Sequence, residues 1–370
     1  MAVAVGSGKP IIDCDVHQRL TAPTDLFPYL SRAYQERIKQ FGLGIGQGGG
    51  YPNGGDRGYR SDSWPDDGRP PGSDLDLMRR QHLDPHNVEY AILLGQELRP
   101  IPTLPDPDYA TALASAYNDW MIAQWLEKDE RLKGAAIVAT QDPRQAAKEI
   151  ERVGPHPDIV GVLVPNGARF PYGQRYYDPI FEACVALDLP FVLHTGSEGA
   201  GTNGPPTPVG YPSYYVELRQ SRSLAFQSHL ASMIFEGLFE RYPSLRVVFV
   251  EGGYVWLPTF LWHVDADWKA LRRETPWVKR PPSEYVFEHC RFTSQPMESP
   301  DRRQQLLTVF EWARAEQTLM FASDYPHFDF DSPTSSLPPL GEELRRRVFS
   351  ETSRECYKLP VRTPAAIAAC

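Results

Sequence analysis

Ile11-Ile12-Asp13-Cys14-Asp15-Val16-His17 begins as an apolar run and ends in three polar residues spaced two apart. Side chains alternate across a β-strand, so Asp13, Asp15 and His17 share one face. The apolar lead-in places this strand in a buried sheet, where bare carboxylates are costly without a cation. Oxygen and imidazole donors at i and i+2 can hold one metal ion from a single strand end. A turn cap at Asp15 and a loop hydrogen bond at His17 would explain the same short pattern, so the rest of the chain has to decide.

Further short apolar runs follow at 88–94, 135–139, 159–164, 190–195, 245–251, 290–293 and 317–323. Between them lie helical patterns at about 107–129, 142–153, 177–187, 221–240, 256–272 and 301–315. Strand–helix alternation implies a parallel sheet, and eight strands of it predict a closed (β/α)8 TIM barrel rather than an open sheet. The 370 residues fit a single domain over 1–370, since such barrels run from roughly 200 to over 400 residues. The additional length sits after the first strand, in a Gly- and Pro-rich insertion at about 20–73. Its centre, 41–71, reads as a loop over the barrel mouth and a candidate lid.

Several other chemistries drop out. Gly44-Ile45-Gly46-Gln47-Gly48-Gly49 has GxGxxG spacing but follows no strand and opens no helix, so it fails as a dinucleotide site. Gly6-Ser7-Gly8-Lys9 is too short for a phosphate loop, and no GxSxG supplies a serine nucleophile. A formal net charge of −9 argues against nucleic acid or an anionic membrane as the main partner. Arg345, Arg346 and Arg347 read as the solvated end of a helix. Cys14, Cys184, Cys290, Cys356 and Cys370 form no CxxC pair, so a cytoplasmic location without disulfides is expected. The N-terminus lacks the charged start and apolar stretch of a signal peptide. No run of about 18 apolar residues would span a membrane.

The pattern of the first strand end recurs. Residues 190–196 (PFVLHTG) end an apolar run with His194, residues 245–253 (LRVVFVEGG) end one with Glu251, and residues 319–327 (LMFASDYPH) end one with Asp324. The C-terminal strand ends of a barrel are where its active sites lie. Four polar strand ends of this kind are hard to attribute to core packing.

With these motifs the sequence resembles the amidohydrolase superfamily, in the branch that includes aminocarboxymuconate-semialdehyde decarboxylase and the resorcylate decarboxylases. The likeness runs from the Asp-x-His start to the SDYPH segment, and includes residues 241–253 (RYPSLRVVFVEGG). It implies that Asp15 and His17 are the first-strand metal ligands, His194 the strand-five ligand and Asp324 the strand-eight ligand and proton carrier. Two departures stand out. Asp-x-His replaces the His-x-His or Glu-x-His of many relatives, a harder donor set that shifts preference from zinc toward manganese or iron. Glu251 stands where the decarboxylases carry histidine, so it is a candidate general base or ligand of a second metal. His229, on the helix before strand six, and His327 are the other second-metal candidates. Taken singly, each is explained more simply, His229 as a packing histidine and His327 as a loop hydrogen bond. His82, His86, His156, His263 and His289 read as structural or solvent-facing. Tyr211, Tyr214, Tyr215, Trp256 and Trp262 belong to the pocket wall or the core.

The expected activity is metal-dependent hydrolysis or non-oxidative decarboxylation of a small carboxylated or acyl substrate, with one or two divalent ions. Asp324 would move the proton and Glu251 would orient water. The alternatives are a dioxygen-activating two-iron oxygenase, suggested by relatives sharing the EGG and SDYPH segments, and a non-catalytic binding barrel. Homo-oligomerisation is implied by the resemblance alone.

Overall fold

The computed structural model describes residues 9–45, 58–96 and 99–362. Its strands are β1 (Ile11–Val16), β2 (Val88–Leu93), β3 (Leu132–Ile137), β4 (Ile159–Pro165), β5 (Phe191–His194), β6 (Val247–Val250), β7 (Cys290–Thr293) and β8 (Leu319–Met320). All pair in parallel, in the order β1 to β8. The ring closes beyond the two assigned residues of β8. Cys14 donates its N–H to Phe321, Asp324 to Asp15, and His17 to Tyr325. Closure therefore falls on the polar strand ends themselves. The fold is the expected (β/α)8 barrel, its strands buried on both faces because helices cover the outside.

Several boundaries differ from the sequence reading. β3 begins at Leu132 rather than 135, because the charged Lys133 is carried inside the strand by an ion pair with Asp158. The helix before β6, Tyr215–Phe235, starts ahead of the expected 221. Glu217 makes that early start, accepting the N–H groups of Ser213 at 2.8 Å and Tyr214 at 2.9 Å. A helix at Pro282–His289, ahead of β7, went unread. Among the aromatics, Tyr211, Tyr214 and Trp262 are exposed, so they are not core. Four buried cysteines are free among the described residues, and Cys370 lies outside them. No described helix is long and apolar enough to cross a membrane.

The insertion carries a 3-10 turn at Pro23–Tyr29 and a helix at Arg32–Phe41. The centre of the expected lid, with most of the GxGxxG stretch, lies outside the described residues. The returning segment is tied to the mouth. Arg60 donates its N–H to Pro326 and Phe328 donates to Gly58, each at 3.0 Å, and Arg19 donates to Gly72 at 2.9 Å. Gly72 has φ 78°, and a Cβ there would stand 2.7 Å from the carbonyl of His17. Only glycine lets the insertion lie this close to the strand end.

Candidate metal centre

Asp15, His17, His194 and Asp324 meet at the C-terminal mouth, each completely buried. His17 and His194 have ring centroids 5.2 Å apart. His17 Nδ1 lies 2.5 Å from the carbonyl of Leu94 and donates to it, which leaves a lone pair on Nε2. That lone pair faces Asp324 Oδ1 at 3.0 Å and Asp15 Oδ1 at 3.1 Å. Burial lowers the His17 pKa to about 4, against the attraction of the Asp324 carboxylate, so the ring is neutral at pH 7. His194 is placed differently: Nδ1 lies 2.7 Å from the Thr195 carbonyl, Nε2 faces Asp15 Oδ2 at 3.4 Å and Glu251 Oε2 at 3.8 Å, and Arg99 Nη1 contacts both ring nitrogens.

Acceptors thus face acceptors. Both Asp15 oxygens, His17 Nε2 and Asp324 Oδ2 are buried without a hydrogen-bond partner. The Asp15 carboxyl is pushed well above the ordinary range by burial and then by repulsion from Asp324 and Glu251. Burial would raise Asp324 too, but His327 and His17 outweigh it and hold that carboxyl far below its usual range. A divalent cation bound among these atoms would remove each conflict at once, and the two-carboxylate, two-imidazole donor set fits one. Candidate ligand triads are Asp15, His17 and His194, then His17, Asp324 and His327, each with donor atoms within 4.8 Å of one another.

Asp13 shares the strand face as expected but is fully occupied. It binds His82 Nε2 at 2.7 Å and accepts the N–H of Ser323 at 2.9 Å and of Asp15 at 3.2 Å. Glu251 sits at the rim, where its Oε1 pairs with Arg222. Arg222 also donates to the Tyr215 hydroxyl at 3.2 Å. Burial raises the Glu251 pKa, with Arg222 opposing. Glu251, Asp324 and Asp329 form a third cluster within 4.8 Å, and Arg219 pairs with Asp329. His327 donates from Nδ1 to Asp324 and stacks on Tyr59 at 5.1 Å.

His229 is not brought into this group. Its Nε2 donates to the Asn166 carbonyl at 2.7 Å, its Nδ1 accepts from the Tyr172 N–H at 3.1 Å, and its ring stacks on Tyr172. Both nitrogens are spent on the main chain. The sequence reading missed Arg99, Arg219, Arg222 and Asp329. Arg219 and Arg222, three apart on the helix before β6, and Arg99, just past β2, lie where barrel sites are built. That placement was the available signal.

A (β/α)8 barrel with these ligands at its C-terminal mouth defines a metal-dependent barrel enzyme. The chain belongs to the amidohydrolase family, whose model matches residues 12–359. It is 25% identical over 308 residues to a gamma-resorcylate decarboxylase of Polaromonas sp., covering 77% of this chain and 88% of that one. It is also 25% identical over 257 residues to the 2-amino-3-carboxymuconate-6-semialdehyde decarboxylase of Dictyostelium discoideum, covering 67% and 65%. Among solved structures, the 5-carboxyvanillate decarboxylase of Novosphingobium aromaticivorans with manganese superposes with a TM-score of 0.70 at 18% identity, covering 96% and 99%. A manganese-bound dihydroxybenzoic acid decarboxylase from Polaromonas gives 0.65 at 20% identity, covering 95% and 97%.

Proposed function

We propose that the protein removes carbon dioxide, without oxidation, from a hydroxylated aromatic carboxylate, using one divalent ion of the manganese or iron type. The observation that carries the reading is the set of buried donors without partners on Asp15, His17 and Asp324, with His194 beside them; the decarboxylase relatives supply the reaction class. A bound metal would supply Lewis-acid charge to an oxygen pair on the substrate. The protein groups do the rest. The neutral His17 and His194, each fixed through Nδ1 by a carbonyl, present Nε2 as ligands. Asp324, beside His327, is placed to pass to the ring carbon the proton that replaces the carboxylate. The ring–carboxylate bond breaks as that proton arrives, its electron pair returns to the ring, and carbon dioxide leaves. Glu251, tied down by Arg222, orients polar groups at the rim.

Release of carbon dioxide from 2,6-dihydroxybenzoate or 5-carboxyvanillate by manganese-loaded protein under nitrogen tests the reading. His194→Ala and Asp324→Ala should lose both metal and turnover. Full metal occupancy in either variant would overturn the ligand assignment.

A second reading, a two-iron oxygenase, is favoured by the Glu251, Asp324 and Asp329 cluster. Its carboxylates at Glu251 and Asp329 already hold guanidinium partners, so charge balance does not call for a second cation. Two irons per chain and oxygen uptake with substrate would reverse this preference. A single metal, unchanged in Glu251→Ala, would exclude the oxygenase.

A further inference from the structure

We propose that Arg99 binds the anionic end of the substrate, holding a carboxylate shared between its guanidinium and the metal centre. The inference rests on the decarboxylase reading for the identity of that anion.

Arg99, Arg219 and Arg222 lie around the candidate metal centre, and they differ in what they hold. Arg222 is paired with Glu251 and Arg219 with Asp329. Arg99, on the loop after β2, is 8% exposed and has no carboxylate partner among the described residues. Its Nη2 donates to Gln96 Oε1 and its Nη1 donates to the Thr195 carbonyl at 3.1 Å. The same Nη1 lies against the imidazole of His194, in contact with Nδ1 and 2.9 Å from Nε2. A guanidinium buried against neutral acceptors has lost hydration that only an anion restores in full.

The position is more informative than the missing partner. Nε2 of His194 is one of the atoms that faces Asp15 and Glu251 across the metal centre. A cation held there would face a guanidinium at close range in a water-poor site, and the two would repel. One anion between them turns that repulsion into attraction on both sides. A carboxylate suits both cations because it has an oxygen for each, and a guanidinium fork matches its plane. Arg219 and Arg222 cannot take this role without releasing the carboxylates they hold. The mouth therefore selects a substrate that carries its carboxylate next to the metal centre, and it discriminates against the same ring without one.

Cobalt(II)-loaded protein reports this through its visible spectrum. Wild type, Arg99→Gln and Arg99→Lys are titrated with 2,6-dihydroxybenzoate, with formate and with resorcinol, and cobalt content is measured on each. The carboxylates should perturb the wild-type spectrum, and Arg99→Gln should need at least about 30-fold more of either, the loss expected when a buried charge partner is removed. Arg99→Lys, with charge but no fork, should fall between, while cobalt content and the resorcinol response stay unchanged. Equal carboxylate affinity in Arg99→Gln overturns the proposal, as does a wild type that answers neither carboxylate. Loss of cobalt from both variants also overturns it, because Arg99 would then be a support for His194. A wild type that binds 2,6-dihydroxybenzoate through Arg99 but releases no carbon dioxide removes the activity and leaves this inference standing.

Discussion

Glu251 and Asp324 each take a left-handed backbone, with φ of 62° and 60°. Such conformations cost about 1–3 kcal/mol in non-glycine residues and persist where neighbours enforce them. Asp324 is enforced by its N–H bond to the Asp15 carbonyl at 3.0 Å, and Glu251 by its N–H bond to Thr293 Oγ1 at 3.1 Å. Both side chains are thereby turned into the mouth at the ends of their strands. Gly252 must follow, because a Cβ there would stand 1.9 Å from the Phe226 ring. Arg222 is the outer partner that opposes the effect of burial on the Glu251 carboxyl and fixes it in place. In Arg222→Gln, metal affinity or turnover should fall by about 10–100-fold, as for other outer partners of metal sites. Chelator competition and turnover measured side by side would show it, and no change in either would mean that Glu251 stands outside the metal's influence.

Among the elements, the helix Tyr215–Phe235 does two jobs with one stripe. Tyr215, Arg219, Arg222, Phe226 and His229 recur at helical spacing, so one face meets the barrel along its length. Its N-terminal half delivers two arginines to the rim, and its C-terminal half buries Phe226 and His229. At the other end of the barrel the entry to β3 is fastened by Asp129, which pairs with Arg131 at 2.8 Å and Arg79 at 2.9 Å. Burial alone would raise the Asp129 pKa, but the two guanidinium groups lower it to about 2. The unfolded chain therefore binds the proton more readily. The stabilisation is complete above the unfolded value near 4 and is lost as pH falls toward about 2. Asp129→Asn should cost about 2 kcal/mol at pH 7, a gap that narrows between about pH 5 and pH 2. Urea unfolding of both proteins across that range checks it; a gap that stays constant with pH would remove the ion pairs as its cause.

For the whole molecule, the proposed metal ligands come from the ends of β1, β5 and β8, strands distant in sequence that meet only when the ring has closed. A cation seated there binds the folded chain and not the unfolded one, so it stabilises the fold by mass action. At a hundred times its dissociation constant, manganese should contribute about 2.7 kcal/mol. For a chain of this size that is roughly 3–4 °C in the midpoint of thermal unfolding. The shift should vanish with excess chelator and be absent from His194→Ala. An equal shift in that variant would place the ion elsewhere.

The sequence by itself determined the barrel and the polar strand ends that converge at its mouth, because both are local signals. Apolar runs alternating with helical periodicity define the repeat, and a polar residue closing the first, fifth, sixth and eighth runs marks the rim. Asp15, His17, His194 and Asp324 were legible for that reason. The tertiary structure alone decided which polar neighbours were already satisfied. Asp13 sits on the same face as Asp15, yet His82, far along the chain, occupies it. His229 carries a ligand's chemistry, yet its nitrogens are taken by Tyr172 and Asn166. Arg99, Arg219 and Arg222 look alike in sequence. They differ only in whether folding brings a carboxylate to them, and no local pattern encodes that, because pairing is a property of distances between remote segments.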